Sequence, residues 1–147
     1  MTKYIISLVM VIATVFGARA DKYTIDRDAL PATAQEFLTK HFPKAKVGMI
    51  KVDRHLLKKT DYDVRLVNGT KIEFNSKGEW TDVDCKTREV PEAIIPRAVR
   101  RYVTKNYPDN KIVEIEKRPT KIEVKLNDGV ELTFDRLGNL KKVDLDD

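Results

Sequence analysis

One cysteine, two histidines and one tryptophan in 147 residues already rule out several kinds of protein. The single thiol, Cys85, cannot close an internal disulfide, so stability has to come from packing. His41 and His55 are accompanied by no nucleophile motif, glycine-rich phosphate loop or paired-histidine spacing, which leaves no catalytic constellation. Long apolar runs are missing too. The longest, Tyr4 to Phe16, falls short of the about twenty residues a spanning helix wants. Nor does charge of one sign dominate: 28 Lys and Arg face 23 Asp and Glu, a balance too even to argue for nucleic acid.

The first twenty residues have the three parts of a secretory signal: Lys3, the apolar stretch, and the small-residue site Ala18-Arg19-Ala20 before Asp21. Residues 1–20 are therefore expected to be cleaved after Ala20, leaving a mature chain in the periplasm with no membrane attachment. Without Lys3 and Arg19, that chain carries 26 basic and 23 acidic residues, a net charge of +3. No cysteine lies at the cleavage site to carry a lipid anchor.

What the sequence does contain is a repetition. The segment from Tyr62, YDVRLVNGTKIEF, returns from Ile122 as IEVKLNDGVELTF, with Val64, Leu66, Gly69 and Phe74 answered by Val124, Leu126, Gly129 and Phe134. Upstream, Leu30-Pro31 answers to Ile95-Pro96 and Phe42-Pro43 to Tyr107-Pro108. The first copy carries additional residues in or beside Asp53 to Asp61. The period exceeds that of solenoid repeats, so a duplicated small domain is expected, with copies at 21–88 and 89–147.

Each copy opens with a helix. Pro31 and Pro96 suit the first helical position, where a missing N–H costs nothing. Ala34, Phe37, Leu38 and Phe42, like Val99, Tyr102, Val103 and Tyr107, form one apolar stripe. The period then changes to two: Tyr62, Val64 and Leu66 alternate with polar residues, Asn68-Gly69 supplies the positive φ values of a tight hairpin turn, and Ile72 and Phe74 resume. Asp128-Gly129 does the same in the second copy. Further strands are predicted near Val47 to Val52, Trp80 to Cys85, Ile112 to Lys117 and Leu140 to Leu145. The expected fold class is α+β: two tandem α-β-β-β-β repeats forming an antiparallel sheet of about eight strands, helices on one face and the other open. Asp63, Arg65, Lys71, Glu73, Thr81, Glu123, Lys125, Glu131 and Thr133 are assigned to the open face.

The order of signal, helix ending in Phe42-Pro43 or Tyr107-Pro108, glycine hairpin, and Phe74-x-x-x-Gly78-x-Trp80 or Phe134-x-x-x-Gly138-x-Leu140 resembles the PepSY-like, β-lactamase-inhibitor-like periplasmic proteins of Bacteroidetes. The resemblance covers about Asp26 to Asp147. It implies a tandem helix-plus-sheet fold similar to β-lactamase inhibitory protein, and a role in binding or inhibiting another protein. The disulfides of that inhibitor have no counterpart here, because Cys85 is alone.

Function is accordingly sought in binding rather than catalysis. The residues expected to meet a protein partner are Leu56 and Leu57, carried on the basic connection before Tyr62, together with Arg65, Glu73, Trp80 and Lys125. Trp80 either caps the core between sheet and helix or anchors a partner on the open face. No cofactor is expected. Asp82, Asp84, Asp144, Asp146 and Asp147 are the densest carboxylates and offer the alternative of a calcium- or small-ligand-responsive periplasmic binding protein, although no twelve-residue calcium loop is present.

Overall fold

The computed structural model describes residues 21–54 and 59–145. Residues 1–20, where an export signal is expected, residues 55–58 with Leu56 and Leu57, and the last two aspartates, Asp146 and Asp147, lie outside the described residues. Two α-helices, α1 (Ala32–His41) and α2 (Arg97–Asn106), each follow a short 3-10 turn, Arg27–Ala29 or Glu92–Ile94. The strands are β1 (Lys22–Thr24), β2 (Val47–Asp53), β3 (Asp61–Leu66), β4 (Lys71–Phe74), β5 (Trp80–Asp84), β6 (Ile112–Lys117), β7 (Lys121–Leu126), β8 (Val130–Asp135) and β9 (Leu140–Leu145). They form one antiparallel sheet in chain order from β1 to β9.

The sheet is continuous across the two repeats because β5 pairs with β6, Val83 opposite Ile115. Its ninth strand, β1, was not expected. Lys22–Thr24 is too short to show alternation, and its partners Ile50, Lys51 and Val52 lie far along the chain. Both helices start one residue later than predicted, so Pro31 and Pro96 are N-caps with φ near −55°. The Pro31 carbonyl accepts from the Ala34 and Gln35 N–H groups and that of Pro96 from Arg100. Phe42 and Tyr107 close the helices just before Pro43 and Pro108.

The hairpin turns differ in detail from the expected form. Of the pairs Asn68-Gly69 and Asp128-Gly129, only the glycines take positive φ, +94° and +93°. Asn68 and Asp128 act through their side chains, each Oδ1 accepting the N–H two residues on, from Thr70 and Val130. The connections from β4 to β5 and from β8 to β9 place Gly78 and Gly138 against the opening turns of the helices. A Cβ on Gly138 would lie 2.3 Å from that of Ala98, so the close approach of helix and turn requires glycine there.

One apolar layer fills the space between helices and sheet. Ala34 and Leu38 of α1 and Val99 and Val103 of α2 are buried against Ile50, Val64, Ile72, Phe74, Ile115, Val124, Leu132 and Phe134. The duplication reaches side-chain geometry: Phe37 meets Phe74 edge-on at 5.6 Å, and Tyr102 meets Phe134 edge-on at 5.5 Å. Cys85 is buried at the seam between repeats, and burial pushes its thiol up to about 11, which makes it an inert packing residue.

Candidate functional site

The period of two that buries Val64, Ile72 and Val124 sends their neighbours to the uncovered face of the sheet. Cross-strand register lines these neighbours into rows. One row runs through all nine strands as Tyr23, Lys51, Asp63, Glu73, Asp82, Glu116, Glu123, Thr133 and Lys142. Five consecutive members, Asp63 to Glu123, are acidic and cover about 19 Å at the usual spacing between strands. The adjacent row is mixed: Met49, Arg65, Lys71, Asp84, Glu114, Lys125, Glu131 and Asp144.

Like charges directly opposite each other in a sheet repel, and together with burial this raises the carboxyls of the face. Burial first, then the carboxylates of Glu114, Glu73, Glu116 and Asp84, push Asp82 up to about 7. Its Oδ1 is buried with no hydrogen-bond partner among the described residues. Asp63 is raised by burial and then by Glu73, and Glu114 by burial and then by Asp84. Neutralisation is partial and comes from the margins. Lys71 lies 3.1 Å from Glu73, Lys121 and Arg118 pair with Glu123 and Glu116, and Lys125 stands 3.9 Å from Glu131.

Of the residues expected to meet a partner, Arg65, Glu73 and Lys125 lie on this face, Glu73 in the acidic row and the other two beside it. Trp80 lies on the helix side. A bulge between β4 and β5 pairs Phe74 with Trp80 and makes Thr81 the extra residue. The indole, partly exposed, stands 6.4 Å from the Phe37 ring with the Lys117 ammonium 4.4 Å over it. Thr81, assigned to the open face, is thus the extra residue, its hydroxyl donating to the Glu73 carbonyl at 3.4 Å, and Asp82 takes the place opposite Glu73. Glu116 and Glu114 are members of the site that the sequence reading did not name, and Asp82 entered it only among the calcium carboxylates. The alternation of Val83 and Cys85 carried the signal for Asp82, but the β5–β6 register could not be read.

In the second repeat a shallow depression of about 80 Å³ is lined by Glu114, Glu116, Glu123, Glu131 and Asp144, with Lys125 among them. Among the described residues no three His, Cys, Asp or Glu side chains are placed to hold a metal ion. The opposite side of the molecule is basic. Arg97, Arg101 and Lys105 of α2 are exposed, and Arg100 binds Glu92 at 2.7 Å. No described helix is long and apolar enough to cross a membrane.

These features define a class: tandem-repeat α+β proteins in which two helices back one face of an antiparallel sheet and leave the other, charged face open. Within it the chain belongs to the PepSY-like family, whose model, described as "Putative beta-lactamase-inhibitor-like, PepSY-like", matches residues 18–59 and 60–142. Comparison with curated protein sequences gives no match. Among solved structures, a protein of Bacteroides thetaiotaomicron described as a "putative calcium-regulated periplasmic protein" is 44% identical, with a TM-score of 0.80, covering 84% of this chain and 96% of its own. A "putative periplasmic protein of unknown function" from Bacteroides vulgatus is 42% identical, with a TM-score of 0.81 over 85% and 99% of the two chains. A second protein of that organism, described as a "putative periplasmic protein from DUF2874 family", is 43% identical, with a TM-score of 0.80 over 86% and 98%.

Proposed function

We propose that the protein is a non-catalytic periplasmic binding module whose open sheet face receives a basic surface of another protein. The observation that carries this reading is the row Asp63, Glu73, Asp82, Glu116 and Glu123, set side by side in register. A fold that holds five carboxylates together bears a repulsive cost, and a cationic partner relieves it while gaining encounter rate from the same field. Arg65 and Lys125 flank the row and would set orientation by repelling a misplaced cation. Leu56 and Leu57 would extend the contact from the β2–β3 connection. Trp80, behind the face, would serve only a partner reaching the helix side. The periplasmic descriptions of the relatives and the N-terminal signal pattern support the compartment. The family description supports an inhibitory outcome of binding.

The test is capture from periplasmic extract by immobilised mature chain, compared with a triple variant E73Q/D82N/E116Q of equal melting temperature. The bound proteins should be basic, elute with moderate salt, and be lost by the variant. Equal recovery by both baits would sink the acidic face as the binding element.

A second reading, calcium responsiveness, draws on the depression among Glu114, Glu116, Glu123, Glu131 and Asp144 and on the description of the Bacteroides thetaiotaomicron relative. The carboxylates do not converge as a ligand set, which places this reading second.

A further inference from the structure

The last strand in the sheet, β9, has no neighbour on its outer edge among the described residues. Such an edge presents backbone N–H and C=O groups ready to pair with another strand. The internal duplication indicates what this edge is built to do. In the first repeat the equivalent strand, β5, gives its outer edge to β6, and there Val83 is 0% and Cys85 3% exposed. At the equivalent places in β9, Val143 is 45% and Leu145 73% exposed. The second repeat therefore ends on a strand whose apolar residues match a buried seam but have no covering element.

The segment Lys142-Val143-Asp144 is also complementary to itself. If two copies of β9 meet antiparallel with Val143 opposite Val143, Lys142 of each copy stands opposite Asp144 of the other, on the open face. Within one chain these two side chains already pair at 3.0 Å as neighbours along the strand. A register centred on Lys142 or on Asp144 would instead set two like charges directly opposite each other. The other edge of the sheet is a poorer candidate, because β1, Lys22-Tyr23-Thr24, has no acidic residue to set opposite Lys22 when two copies meet about Tyr23.

We propose that β9 is a homodimerisation edge: two copies of the chain join β9 to β9 about a two-fold axis through Val143, extending one sheet through both molecules. The interface is isologous, so each copy offers and receives the same groups. It is also short. Lys141 is the extra residue of the bulge between β8 and β9, which confines regular pairing to Lys142 through Leu145. With Val143 opposite Val143, Leu145 falls opposite that extra residue, so three residues a side pair regularly and bury little surface, and association is weak and reversible. This proposal concerns the edge of the sheet and is independent of what its face binds.

Sedimentation equilibrium of the mature chain, over a concentration series reaching about 1 mM, tests it. The wild-type chain should show a monomer–dimer equilibrium. K142D and D144K each set like charges opposite across the axis and should weaken the dimer by about tenfold or more. An equimolar mixture of K142D and D144K should dimerise again, because both cross-strand positions then carry opposite charges. Rescue by mixing also separates loss of pairing from loss of folding. A wild-type chain that stays monomeric throughout, or single variants that dimerise as well as wild type without mixing, would overturn the proposal.

Discussion

Replacing Asp82 by asparagine should stabilise the protein at high pH and do little at low pH. The amide keeps the shape of the carboxylate and removes its charge, so the difference reports the cost of holding a charge at this place, first from burial and then from the neighbouring carboxylates. In the folded state the Asp82 carboxyl is pushed up to about 7, from 3.8 for the unfolded chain. The folded protein therefore holds a proton that the unfolded chain has released between those two values. Stability contributed by this group is complete below 3.8, falls as the pH rises, and is gone above about 7. Taken at face value, a displacement of that size is worth about 4 kcal/mol above neutral pH. Asp82 is only partly buried, and solvent screening lowers the expectation to about 1–2 kcal/mol. For a chain of this length that is a rise of about 3–8 °C in melting temperature. The assay is thermal unfolding of wild type and D82N from pH 4 to 9, repeated in high salt, which should shrink the difference. If D82N gains no more at pH 8.5 than at pH 4, or loses stability at high pH, the carboxylates are not in conflict and the argument fails.

Two further outcomes follow from the geometry. Gly138→Ala should destabilise by about 2–4 kcal/mol in urea unfolding, since the new methyl meets Ala98 and the residue keeps a φ of +88°, whereas Gly69→Ala, with open space around it, should cost about 1 kcal/mol. Equal costs at the two positions would show that helix and turn do not approach as described. Calcium at about 1 mM should leave the melting midpoint within about 1 °C of its value in chelator. A rise of several degrees, lost in E114Q/E131Q, would instead favour the calcium reading.

Much of this was legible because the chain repeats its physical instructions. The stripe of Ala34, Phe37 and Leu38 reads as a helix only at a period of 3.6, and Val64 and Leu66 as a strand only at two. The same alternation placed Arg65, Glu73 and Lys125 on the open face, where they are found. The seam was not legible. That β5 meets β6 with Asp82 opposite Glu116 depends on register between segments with no turn joining them, and nothing local encodes it. The bulge at Thr81 adds a second concealed step, since one extra residue moves Asp82 across from Glu73 and takes Trp80 to the helix side. The acidic row draws on strands of both repeats and depends on the seam and the bulge, so composition alone could not reveal it. β1 was missed for want of length.

That short strand carries a consequence out of proportion to its three residues. Each strand runs opposite to its neighbour, so an even number would leave the two borders of the sheet pointing opposite ways. Molecules could then be laid side by side by translation alone, every joint antiparallel, and such growth has no natural end. Among the described residues, β1 makes the number nine. The borders now run the same way, and molecules stacked by translation would meet strand against strand in the less stable parallel sense. By occupying the margin of β2, the segment from Lys22 to Thr24 works against indefinite fibre growth in a protein whose sheet is otherwise open at both ends.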